Sequence, residues 1–114
     1  MQDLIKAMKA LSDETRLRIL NVLLERECCV CEVRQALDIS QSWASRNLGI
    51  LQEAGFLRTR RDRVWMVYSV DWQATNRYAT NLAKLLKDSP ISSEVLTQDK
   101  ERLKSATRIG PGCR

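Results

Sequence analysis

"VCEVRQALDISQSWASRNLGILQEAGFL", residues 30–57, is the stretch that decides the fold. Val30, Val33 and Leu37 recur at helical spacing, then "DIS" breaks the pattern with Asp38 as a turn residue and Ser40 as a helix cap. Ala44, Leu48 and Leu51 resume at i, i+4 and i+7, and Gly55 stands just past the last turn, where a left-handed residue is expected. The stretch therefore reads as two short helices joined by a three-residue turn. Immediately downstream the apolar period shortens to two. "FLRTR" and "VWMVYSV" read as strands joined by "RDR", a hairpin with Asp62 in its turn.

Working upstream, Leu4, Ile5, Met8 and Leu11 share one helical face. Ser12 is a candidate N-cap for a second helix, with Asp13 and Glu14 in its first turn, where the dipole favours acidic groups. That helix carries Leu17, Ile19, Leu20, Leu23 and Leu24. Beyond the hairpin, residues 72–87 return to helical spacing through Trp72, Ala79, Leu82, Ala83 and Leu86. Residues 92–105 read as a short charged helix and "RIGPGCR" as a flexible tail. The order of four helices, a hairpin and a further helix is the winged helix-turn-helix plan. The expected fold is mainly α with a β-hairpin. Residues 1–87 are expected to form the DNA-binding domain, and residues 88–114 a short C-terminal helix and tail.

In that plan the helix beginning near Gln41 lies in the major groove. Its core face is taken by Ala44, Leu48 and Leu51, which turns Gln41, Ser42, Ser45, Arg46 and Gly49 outward, with Asn47 beside them. Short hydroxyl and amide groups with one arginine suit close approach to bases and phosphates. Arg58, Arg60, Arg61 and Arg63 crowd the hairpin with only Asp62 to offset them, which suits phosphate or minor-groove contact. A solvated, charge-protected edge strand would look similar. Trp43 reads as packing against the preceding helix, with a thymine methyl as its alternative partner.

The 114 residues carry a net charge of +5 and no histidine. The charge favours a polyanionic partner. The missing histidine removes the commonest general base, Ser-His and Cys-His nucleophile pairs, and mixed Cys/His zinc sites. A non-enzyme with no organic cofactor is expected. No apolar run approaches the roughly 18 residues of a membrane span, and the N-terminus lacks the order of a signal peptide. A cytoplasmic protein without a membrane partner is the expectation, and in a reducing cytosol the thiols serve as ligands or redox groups.

Taken in order, "LSDETRLRIL", "CVCEV", "ISQSWASRNLGILQEAGFL" and the basic hairpin resemble the motifs of the ArsR/SmtB family of metalloregulatory repressors, over residues 4–87. The resemblance implies a homodimer joined by its first and last core helices. It also implies double-stranded operator DNA of two-fold symmetry, and loss of DNA affinity when a metal or metalloid binds. "ECCVCEV" looks like the ligand motif of the arsenite-sensing branch, with Cys29 and Cys31 matching. A third cysteine found three residues beyond Cys31 in some members is Arg34 here. The family's cadmium/lead sensors share Cys-x-Cys but draw further cysteines from an N-terminal extension, and this chain has no cysteine before Cys28. Its zinc and cobalt sensors use Asp-x-His, for which "VDWQAT" offers Asp71 and Gln73.

The inducer this implies is arsenite or antimonite, a soft trivalent ion taking three thiolates. Cys28 and Cys31, at i and i+3, would share a helix face. Cys29 and Cys31, at i and i+2, would point about 200° apart on a regular helix. The expectation is that both grip one ion only if the helix start unwinds, and that this distortion switches DNA binding. Cys28 is favoured as the third ligand and Cys113 is its rival. Arg26 and Arg34 flank the cluster and are expected to favour thiolate. Redox sensing by the same thiols, or sensing of cadmium, lead or zinc, remain alternatives. A small thiol oxidoreductase is a remote one, since no βαβ context frames Cys28 and Cys31.

Overall fold

A computed structural model describes residues 1–109. Helix α1 (Gln2–Leu11) is followed by α2 (Glu14–Glu25), a two-residue strand β1 (Cys28–Cys29), α3 (Val30–Leu37) and α4 (Gln41–Glu53). Strands β2 (Leu57–Asp62) and β3 (Trp65–Val70) form the hairpin, and α5 (Arg77–Asp88) and α6 (Glu94–Ser105) follow it. The fold is a winged helix-turn-helix, with α3 and α4 as the reading pair and β2–β3 as the wing.

Local chemistry sets most of the boundaries. Asp13, rather than Ser12, caps α2 by accepting from the Arg16 backbone, while Ser12 closes α1 and its hydroxyl donates to the Met8 carbonyl. Ser40 caps α4 as expected, accepting from the Trp43 N–H. Asp38 takes the left-handed conformation (φ 56°) in the turn between the reading helices. Gly55 follows α4 at φ +97°, and a Cβ there would come within 2.9 Å of the Asn76 Cβ, so only glycine fits. The wing turns through Arg63 and Val64 alone, since Asp62 pairs with Trp65, and Arg63 takes the positive φ (60°) that a tight two-residue hairpin needs.

Besides the wing turn, which takes Arg63 and Val64 and leaves Asp62 in β2 instead of in an "RDR" turn, two elements differ from the sequence reading. Helix α5 starts at Arg77 instead of residue 72. Asn76 caps it by accepting from the Tyr78 N–H, which leaves Trp72 in the preceding turn and 43% exposed. The second difference is β1. Cys28 and Cys29 add a third antiparallel strand beside β3, in register with Tyr68 and Val67, giving the order β1-β3-β2.

Phe56, Ile19, Leu20, Leu48 and Leu51 are fully buried at the centre of one core, which gathers side chains from every helix and the sheet. Helix α6 belongs to it through Leu103, and Ala106 just beyond the helix joins the same cluster. A buried charge fixes this docking. Asp99, with no exposed surface, accepts two hydrogen bonds from Arg18 of α2 (2.8 and 2.9 Å) and one from Arg102 (2.8 Å). Arg102 also donates to the Ala36 carbonyl of α3. A buried carboxylate persists only when paired in this way.

Candidate thiol site and nucleic-acid interface

The sulfurs sort by strand alternation. Side chains of adjacent strand residues point to opposite faces, so Cys28 enters the main core while Cys29 turns the other way. Cys29 is the N-cap of α3, with extended backbone (φ −82°, ψ 172°), and α3 runs regularly from Val30. From that position its Sγ lies 3.2 Å from the Cys31 Sγ. Cys29 and Cys31 form a separate buried cluster against Trp65 of β3.

This corrects two expectations. The supposed conflict between a wound helix and convergent Cys29 and Cys31 does not arise, because a cap residue lies outside the 100° helical progression. Cys28 is not adjacent to the other two: it sits in a strand on the opposite face, and its Sγ faces the Arg26 carbonyl at 3.5 Å. Among the described residues no three His, Cys, Asp or Glu side chains assemble into a metal site. Cys113 lies outside the described residues. Cys28 and Cys29 carry thiols, whereas Cys31 is disulfide-bonded.

Burial controls the protonation of these thiols. It pushes Cys28 up to about 12 in spite of the neighbouring Arg26 guanidinium. Burial likewise raises Cys29, helped by the nearby Glu32 carboxylate. The expected thiolate-favouring effect of the flanking arginines is therefore outweighed, and Arg34 turns away to donate to Gln41 Oε1 at 3.2 Å. Glu32, which the sequence reading did not single out, organises the site. At the third position of α3 it completes a capping box by accepting from the Cys29 N–H (2.9 Å), and it pairs with Arg26 (2.8 Å). Burial alone would raise its carboxyl, but these donors hold it below the usual range. Trp65 is the second residue missed; its indole Nε1–H is buried with no partner among the described residues. A glutamate three positions after a cap was the one readable signal for Glu32, whereas Trp65 meets the sulfurs only through β-sheet pairing.

On α4, Ser42, Ser45 and Arg46 are exposed, and Gln41 is half-buried with its carbonyl bonded to Arg34. Asn47 is not on that face. It is 1% exposed; its Oδ1 accepts from Arg16 and its Nδ2 donates to the Trp43 carbonyl, so it ties α4 to α2. Trp43 does not disappear into the helix–helix seam: 44% of it is exposed, and the Arg46 guanidinium lies 6.0 Å from its ring centre. On the wing, Arg58, Arg60, Arg61 and Arg63 are all exposed. Arg60 pairs with Glu27 at the entrance to β1. Among the described residues no salt bridge engages Arg58, Arg61 or Arg63. The exposed arginines and α4 hydroxyls form a cationic, hydrogen-bonding surface, the chemistry that duplex DNA recognises.

Residues 13–59 match the family model described as bacterial regulatory protein, arsR family. The chain is 48% identical over 61 residues to the arsenic resistance transcriptional regulator ArsR1 of Pseudomonas putida, covering 53% of this chain and 48% of that one. It is 41% identical over 70 residues to a cadmium resistance transcriptional regulatory protein CadC homolog of Staphylococcus aureus, covering 60% of this chain and 58% of that one. The chain thus spans about half the length of these curated relatives. A homodimeric winged helix-turn-helix DNA-binding domain from Mycobacterium bovis superposes with a TM-score of 0.65 at 25% identity, covering 76% of this chain and 77% of that one.

Proposed function

The chain belongs to the ArsR family of bacterial regulatory proteins, and on that premise we propose that it is a transcriptional repressor released from its operator by trivalent arsenic or antimony. The carrying observation is the pair of buried sulfurs, Cys29 and Cys31, 3.2 Å apart at the cap of the first reading helix. For metal–sulfur bonds of about 2.3 Å, sulfurs at that spacing subtend roughly 88° at the ion. A tetrahedral ion asks for about 109°, so the spacing supports a pyramidal, three-coordinate ion over zinc or cadmium. Soft thiolates select such an ion, once Cys31 has been reduced to its thiol.

The third sulfur is assigned to Cys113. The Ile109 N–H comes within 3.3 Å of the Cys31 Sγ, and four residues of chain reach about 13–14 Å. Cys28, facing the core, does not compete. Binding from neutral thiols is balanced: arsenous acid exchanges three hydroxyls for three sulfurs and three waters leave.

The sulfur site adjoins both DNA-facing elements. Cys29 caps α3, which packs on α4, and Cys29 pairs in register with Val67 of the wing. A change at the cap therefore bears on the reading helix and the wing together, without unwinding α3. Couplings of this kind are typically about 1–3 kcal/mol, and a near-complete switch needs about 5.5 kcal/mol.

The working unit is a homodimer on a two-fold symmetric operator. Ile5 and Met8 of α1, and Tyr78 and Leu85 of the adjoining α5, are large apolar side chains left exposed on the single chain. A second copy would cover them, and the Mycobacterium domain is itself homodimeric.

A second reading is favoured by the disulfide at Cys31: the same thiols would answer an oxidant, peroxide taking two electrons and two protons from two thiols and leaving as water. One experiment separates the readings. Reduced, anaerobic protein on labelled operator DNA is titrated in parallel with arsenite, cadmium, zinc and hydrogen peroxide. Release by stoichiometric arsenite supports the repressor proposed here; release by peroxide alone supports the redox reading; an intact complex throughout rejects both.

A further inference from the structure

The chain does not leave the molecule at the end of α6. Arg26 Nη2 donates to the carbonyls of Leu103 and Ala106 (3.2 and 3.3 Å). Thr107 is paired twice with Gln35 of α3: its N–H donates to Oε1 (3.1 Å) and its carbonyl accepts from Nε2 (2.7 Å). Arg108 places its guanidinium 5.6 Å from the Trp65 ring centre and pairs with two carboxylates, Asp62 at the end of β2 and Glu32 of α3. The Ile109 N–H and the Thr107 carbonyl lie 3.3 and 3.9 Å from the Cys31 Sγ. Residues 106–109 thus form a strap across the sulfur pair, held by the side chains of Arg26, Gln35 and Arg108 instead of by a helix or strand.

Cys29 and Cys31 are 0% and 1% exposed, so no ion reaches them in this arrangement. Of what surrounds them, α3 and the sheet are fixed by backbone ladders and core packing. Once the Cys31 disulfide is reduced, the strap is fixed by a few side-chain contacts at the surface, which open at low cost.

We propose that residues 106–109 are a gate latched by Arg108, and that closure over the sulfurs and the clasp on the wing are one event. A thiophilic ion seats only when the strap lifts, and lifting strips Arg108 from Asp62. The Asp62 carboxylate then stands uncompensated inside the run Arg60 to Arg63, which weakens the attraction of the wing for phosphate. This rests on the thiol-ligand reading above and adds the route from the sulfurs to the wing. Arg108 is a positioning residue: it touches neither ion nor DNA in this scheme.

The test is thiol labelling of the reduced full-length protein by N-ethylmaleimide, in wild type, Arg108→Gln, Arg108→Lys and Gln35→Ala. Trypsin places Cys28, Cys29 and Cys31 in one peptide, residues 27–34, separate from Cys113, and fragmentation resolves the three. Arg108→Gln and Gln35→Ala are expected to label Cys29 and Cys31 about fivefold faster, the factor for loss of a contact of this size. Cys28 should keep its wild-type rate, and Arg108→Lys should restore part of the protection. Unchanged rates at Cys29 and Cys31, equal acceleration of all three cysteines, or no rescue by lysine would each overturn the gate. Arsenite binding by the same variants, followed through tryptophan fluorescence, is read separately. Accelerated labelling without arsenite binding keeps the gate and rejects the ion; arsenite binding with unchanged labelling does the reverse.

Discussion

Replacing Asp99 by alanine removes the buried charge that anchors α6. Asp99 has no exposed surface and accepts three charge-assisted hydrogen bonds, two from Arg18 and one from Arg102. Breaking a fully buried ion pair costs about 3–5 kcal/mol, because the surviving charge is left without a partner. Here the two guanidinia are 18% and 41% exposed and regain water, which discounts the loss to about 2–3 kcal/mol. Against a total stability of about 5–15 kcal/mol, that is a large share. Urea unfolding followed by circular dichroism should show the midpoint falling by about 1–2 M at an unchanged slope. Should α6 undock first, trypsin would cut at Lys100 and Lys104 well below the unfolding midpoint. Asp99→Asn, which keeps one acceptor, should lose about half as much. A midpoint within about 0.3 M of wild type, with wild-type resistance to trypsin, would refute the claim that this charge network holds α6 to the core.

Four further outcomes are expected. Cadmium binding releases a proton from each thiol it takes, so with Cys29 raised by burial its affinity should climb steeply between pH 6 and 8; arsenite, exchanging hydroxyl for thiol, should bind equally across that range by calorimetry. Asn47→Ala should destabilise the fold by about 1–2 kcal/mol in chemical unfolding by removing the acceptor of Arg16 Nη1 and the bond to the Trp43 carbonyl, whereas Arg46→Ala should leave stability within about 0.5 kcal/mol and weaken DNA binding instead. Arg61→Ala should lower the salt slope of DNA binding by about one, and more than Arg60→Ala, whose side chain is already paired with Glu27. Met8→Glu together with Leu85→Glu should yield a folded monomer by sedimentation velocity, since both side chains lie on the exposed apolar faces of α1 and α5.

The helices were legible because their apolar residues recur at 3.6, and the wing because the period changed to two while arginines gathered on it. What escaped has a common cause, contact between residues distant in sequence. Strand β1 is two residues long and has no periodicity of its own; only its pairing with Tyr68 and Val67 makes it a strand. That pairing then set Cys29 outside the helix and Cys28 into the core, which removed the geometric conflict and turned Cys28 away from the other two sulfurs. Trp72 was drawn into α5 by apolar spacing, although the Asn76 cap lies four residues later. Asn47 looked like a surface amide because nothing in the reading helix announces Arg16, thirty-one positions earlier. A buried Asp99 in a charged helix is likewise indistinguishable, in sequence, from its solvated neighbours.

Arsenic X-ray absorption on the reduced protein loaded with one equivalent of arsenite counts the sulfurs directly. Three sulfurs are expected in wild type and in Cys28→Ser, falling to two, with one light atom added, in each of Cys29→Ser, Cys31→Ser and Cys113→Ser. An arsenic shell of oxygen alone, or one that stays at three sulfurs when Cys29 or Cys31 is replaced, would contradict the assignment of the site.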